Sequence, residues 1–266
     1  MRSTNYRLLD QISLALERGN DGVLDVVRGK SIIGLGPIVE VLSLRSTQPA
    51  LGRLLSVCTT SVIVGALPKA QENPLRLISG NSGHGHWGLL HFRKATNGEL
   101  VDPLHVFQIE MQKALSFSRR VTRAKARICG AVKEMVDNIF EHSGAPDTGV
   151  AAFMGSADGF EISIGDAGMG VLASLRSNPM FSYLHDGGTA MAHALKDGNS
   201  RYPSDANRGY GFGTLLRSLN SLDAELRFRS GNYALEITGR SPLQRNPHIS
   251  QKADLRGFVV SVRLAL

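Results

Sequence analysis

Three groups of residues in the second half of the chain have types and spacings that could do chemistry. The first is Glu134 with Asn138, inside the stretch Ala131 to His142. On a helix, side chains four apart share a face, so a carboxylate and an amide would stand together. The second is Gly165-Asp-Ala-Gly-Met-Gly170, an acid followed by two spaced glycines. The third is Arg208-Gly-Tyr-Gly-Phe-Gly-Thr214, which precedes a leucine-rich run. Each suits one part of a nucleotide. Asp166, at a strand end, can accept a hydrogen bond from an exocyclic amine, while Gly168 and Gly170 let backbone approach a flat ring. Gly209, Gly211 and Gly213 leave backbone N–H groups free to surround phosphate oxygens at a helix N-terminus. Arg208 adds a formal charge and Thr214 a hydroxyl. Asn138 offers the oxygen that magnesium, a hard cation, seeks. Glu134 could orient or deprotonate a nucleophile.

The elements that must hold these residues follow from periodicity. A helix is expected from about Thr122 to His142. Ile128, Val132, Met135, Val136 and Ile139 fall on one arc, and Glu134, Asp137, Asn138 and Glu141 on the opposite one. Taken alone, this is also the pattern of an ordinary amphipathic helix with a solvated face. Ser143-Gly-Ala-Pro146 stops it. Residues 149–154 and 160–164 alternate like paired strands around a turn at 156–159, and the second strand runs into Asp166. Residues 171–207 are long, polar and glycine-bearing, with weak helix signals at 171–176 and 189–196. Leu215, Leu216, Leu219 and Leu222 mark a helix opened by the glycine loop. Strands are expected at 224–229, 233–238 and 258–264, with a polar connection over 239–256.

In this order and on these elements, the three motifs resemble the N-box, G1 box and G2 box of the GHKL superfamily. That superfamily includes gyrase B subunits, 90-kDa heat-shock chaperones, histidine kinases, mismatch-repair ATPases and anti-sigma-factor kinases. The stretch ending in His142 resembles the kinase-type N-box, and Arg208 to Thr214 the kinase-type G2 box. The resemblance covers roughly residues 120–266. It implies an α/β fold, the two-layer Bergerat sandwich, in which a mixed sheet carries helices on one side. It also implies that ATP is bound with Mg2+, that Asp166 takes the adenine amino group, and that 171–207 form the ATP lid.

Departures narrow the activity. No His-Glu or His-Asp pair precedes a dimerisation helix, so a sensor kinase's phosphoacceptor box is absent. No lysine can be assigned the role that a following domain supplies in gyrase-like ATPases. Ile139 and Phe212 replace the usual alanine and leucine. The expectation is an ATP-binding regulatory protein that acts on a protein partner, by phosphorylation or by nucleotide-dependent binding. The alternatives are a gyrase-like ATPase switch, with Glu134 activating water, and a non-catalytic nucleotide-sensing module.

The chain divides into an N-terminal α/β region, residues 1–118, and the ATP-binding domain, residues 119–266. In the first, a helix is expected at 5–18 and another around 50–57. Short β-branched runs at Ser31-Ile-Ile33, Ile38 to Leu42 and Ser61 to Val64 read as strands. Gly34-Leu-Gly36 lacks the third small residue of a dinucleotide fingerprint, since Val39 holds that place. Residues 71–98 read as loops around a strand, and Asp102-Pro103 as a helix start. His84, His86 and His91 lack a companion Cys or carboxylate at a metal-site spacing.

The 266 residues, 42% hydrophobic, suffice for a real core. The longest apolar runs are too short to span a bilayer. The acidic Asp10 and Glu17 argue against a signal peptide, and Cys58 and Cys129 make no disulfide framework. A cytoplasmic location without membrane attachment is therefore expected. The net charge of +7 permits a polyanionic ligand. The basic cluster from Arg119 to Arg127 has no interleaved aromatics, so nucleic acid is not the favoured partner.

Overall fold

The computed structural model describes residues 4–26, 34–57, 61–82, 85–94, 97–117, 125–194, 224–237 and 247–265. Its centre is one antiparallel sheet. The strands are β1 (Ile78–Ser82), β2 (Gly85–His91), β3 (Val150–Ser156), β4 (Gly159–Asp166), β5 (Ala224–Ile237) and β6 (His248–Ala265). Their spatial order is β1-β2-β3-β4-β6-β5, and every described pairing is antiparallel. The chain is thus α/β in the broad sense, with helices packed on a sheet.

Successive strand residues point to opposite faces, and each face has its own helical cover. On one face, Ala151, Phe153, Phe160, Ile162, Ile164, Val260 and Val262 share a core with α6 (Asn97–Leu115) and α7 (Lys125–His142). The expected inward arc of α7 is buried as a set: Ile128, Val132, Met135, Val136 and Ile139. On the other face, Leu89, Val150, Ala152 and Val259 pack with residues of the N-terminal helices. These are α1 (Thr4–Glu17), α2 (Val23–Val26), α3 (Leu35–Leu44), α4 (Gly52–Val57) and α5 (Val62–Glu72). β2 pairs with β3, so strands from either side of residue 118 belong to one sheet.

Two of the runs expected as strands are helices. Residues 38–42 lie inside α3, and 61–64 open α5, while Ser31 to Ile33 fall outside the described residues. All ten residues of α3 are buried, so its sequence shows no polar face to reveal a helical period. Its start is set from afar. Gly34 adopts φ +104, and the Leu35 N–H donates to the Glu161 carboxylate on β4 at 2.7 Å. α5 starts locally, with the Ser61 hydroxyl accepting from the Ile63 N–H at 3.3 Å. Other boundaries also move. Residues 78–82 and 85–91 pair as the antiparallel strands β1 and β2, and α6 begins at Asn97, leaving Pro103 inside it. β5 is one strand with a bulge near Gly231, and β6 takes in much of the expected connection.

The face under α1 and α3 also carries a buried ion network. Glu40, on α3, is fully buried and accepts from Arg227 Nε at 2.9 Å, Arg227 Nη2 at 3.0 Å and Arg229 Nη1 at 2.6 Å. Arg227 also reaches Asp10 and Glu236, each at 2.5 Å, and lies 4.5 Å over the Tyr6 ring. Burial acts to raise the Asp10 carboxyl, but Arg227 and Lys252 outweigh it and hold the group below its ordinary value.

Candidate functional site

The strand β4 delivers Asp166 to the α6–α7 side of the sheet, in line with Ile162 and Ile164. The chain then turns tightly into α8 (Gly170–Arg176). Two hydrogen bonds tie this turn to the segment that follows α7. The Met169 N–H donates to the Ser143 carbonyl at 2.8 Å, and the Ala167 N–H to Thr148 Oγ1 at 2.9 Å. Ser143 itself closes α7, its hydroxyl donating to the Ile139 carbonyl at 2.5 Å. The last turn of α7 and the acidic turn are therefore held against each other.

Asp166 is completely buried. Its Oδ1 accepts from the Gly168 N–H at 2.7 Å. Its Oδ2 is sealed from solvent and has no hydrogen-bond partner among the described residues. Burial pushes the carboxyl up to about 7, with the Gly168 N–H pulling the other way. A buried acceptor without a donor is costly, of order 1–3 kcal/mol. Such a group is the place to look for a ligand's donor.

The backbone around it is close enough to demand glycine. A methyl at Gly168 would lie 2.1 Å from the Ser143 carbonyl oxygen. One at Gly257 would lie 2.2 Å from the Asp166 carbonyl oxygen and 2.5 Å from Oδ1, and Gly257 has φ +77 besides. Gly170 has φ +75, and the Val171 N–H after it donates to Ser230 Oγ at 2.9 Å. Gly257, Thr148 and Ser230 escaped the reading of the sequence. Gly257 directly precedes Phe258, the residue that pairs with Asp166, so its place depends on strand register and had no local signal.

Glu134 and Asn138 lie on α7, the first exposed and the second half-buried. On the same helix Lys133 pairs with Asp137 at 2.5 Å, which raises the Lys133 pKa. Arg208, Gly209, Gly211, Gly213 and Thr214 lie outside the described residues. Residues 171–194, expected within the lid, fold around Leu175, Phe181, Leu184 and Ala190. They include α8 and α9 (Gly187–Ala194). Asp186 receives the Thr189 N–H at 2.6 Å. Its carboxyl is pulled down to about 2, first by the Tyr233 hydroxyl and then by Thr189.

Of the three histidines, His86 sits between Asn81 Oδ1, at 3.0 Å, and Glu110 Oε2, at 2.8 Å. His91 lines a cleft that also takes in Thr148 and Ala167, and His84 is outside the described residues. Among the described residues no cluster of three or more His, Cys, Asp or Glu could hold a metal ion. No described helix is long and apolar enough to cross a membrane. Comparison with known proteins adds no relative, since no family model, no curated protein and no solved structure matches the chain.

Proposed function

We propose that the chain is an Mg-ATP-binding regulatory protein of GHKL type. Its Bergerat unit is the sheet with the α6–α7 layer, to which the N-terminal helices add a further layer. The observation that carries this reading is Asp166, a buried carboxylate with one oxygen left without a donor among the described residues. An adenine amino group is a fitting donor, and the turn that presents the carboxylate is fixed by Gly168, packed directly on the Ser143 carbonyl. Met169, 44% exposed, is an apolar surface beside that turn.

In this reading the half-buried Asn138 supplies an oxygen to Mg2+, one helical turn from Glu134. Bound magnesium would neutralise phosphate charge. Arg208 and the backbone of Gly209, Gly211 and Gly213 would hold the phosphates, with Thr214 adding a hydroxyl. Glu134 would orient or deprotonate the group that attacks the γ-phosphate, a partner's hydroxyl or water. Titrating the purified protein with ATP and magnesium tests binding. Labelled ATP with candidate partners, and phosphate release without them, separate transfer from hydrolysis. Absence of ATP binding at millimolar concentration would overturn the proposal.

A further inference from the structure

A cleft of about 580 Å3 opens at the end of the N-terminal helical layer, and Thr148 and Ala167, which brace the Asp166 turn, form part of its lining. Its volume lies within the range of small-molecule sites, about 300–1,000 Å3. The buried side chains of Leu42, Leu67 and Val150 contribute an apolar surface. Arg45 and Asp147, both exposed, bring one charge of each sign to the same cleft. Neither forms an ion pair with the other or with any described residue. His91 lines the same cleft, and burial and Arg45 hold it below its ordinary pKa while Asp147 acts the other way. A neutral imidazole there can hydrogen-bond without tipping the balance of charge.

We infer that this cleft binds a free amino acid with an apolar side chain. Arg45 faces its carboxylate, Asp147 its ammonium group, and Leu42, Leu67 and Val150 its side chain. The charges select the ligand. A simple anion would meet Asp147 and a simple cation would meet Arg45, whereas a zwitterion satisfies the pair. Guanidinium is suited to forked hydrogen bonding with a carboxylate. The hydrocarbon floor favours leucine, methionine or phenylalanine over polar amino acids. The inference does not depend on ATP binding, and its test uses no nucleotide.

The full chain is melted with L-leucine, L-methionine or L-phenylalanine, and with two truncated probes. These are 3-methylbutylamine, which lacks the carboxylate, and 4-methylpentanoate, which lacks the ammonium. The best of the three amino acids raises the melting temperature by about 5 °C at a hundredfold excess over its dissociation constant. At the same concentration the truncated probes give no shift. Arg45→Gln and Asp147→Asn, at exposed positions, each keep the unliganded melting temperature and lose the shift. Absence of a shift with all three amino acids overturns the inference. So does an equal shift with either truncated probe, or a shift preserved in Arg45→Gln. The wild-type comparisons decide the matter even if a variant folds poorly.

Discussion

Glu40 and Asp166 are both fully buried carboxylates, and they lie on opposite faces of one sheet. Glu40 receives three guanidinium N–H groups, and its charge is answered by Arg227 and Arg229. Among the described residues Asp166 receives one backbone N–H and no cation. Burial alone therefore does not mark a functional acid. Glu40 is locked into a network that ties α3 to β5, with both of its oxygens engaged by guanidinium groups. Asp166 keeps an acceptor that no described residue answers, which is the signature of a group held ready for something else.

The largest effect expected from this contrast is at Glu40. Glu40→Ala leaves two buried guanidiniums short of an anion and destabilises by about 3–5 kcal/mol. Urea unfolding of the variant measures it, and a loss under 1 kcal/mol would mean that the network is not structural.

Asp166→Asn should move stability the other way. The folded carboxyl at about 7 lies above its ordinary value of 3.8, so the folded state holds a proton that the unfolded chain has lost in that window. Stability from this group thus falls as pH rises from about 4 to 7. Asparagine avoids that loss while keeping an oxygen for the Gly168 N–H. The unliganded variant should be more stable than wild type by about 2–4 kcal/mol at pH 8, with the gain gone by pH 4. Unfolding curves at the two pH values check it.

The same titration predicts a pH dependence of binding. An amine donor favours the ionised carboxyl, so binding ATP releases a proton near neutrality. Affinity should fall roughly tenfold between pH 8 and pH 6 in wild type and less in Asp166→Asn. Calorimetry in buffers of differing ionisation heat would expose the proton. Glu134 gives the smallest structural effect. It is exposed, so Glu134→Ala should change stability by no more than about 0.5 kcal/mol. Phosphate release or transfer, if the wild type shows either, should drop at least a hundredfold.

How much of this was legible in the sequence depended on where each constraint originates. The helix α7 was legible because one face is buried and the other is wet, so its period shows. The helix α3 was not, because it is buried all round and begins at a carboxylate 126 residues away. The paired strands β1 and β2 read as loops around a single strand because the stretch is rich in glycine. Gly88 is needed there to seat the Phe153 ring, which a methyl would approach to 2.5 Å. The acidic turn was legible as a motif, since Asp166, Gly168 and Gly170 are local. Its depth was not, because Gly257 and Ser143 reach it through strand pairing and packing. Likewise, nothing local to Glu40 foretells two arginines arriving from β5.

The central claim is that Asp166 is reserved for a nucleotide. Its most direct test is calorimetric titration of wild type and Asp166→Asn with Mg-ATP at pH 8, alongside their unfolding curves. The account predicts that the variant is folded, more stable when unliganded, and weaker for ATP by about 10- to 100-fold. Equal ATP affinity in the two proteins, with Asp166→Asn well folded, would contradict it.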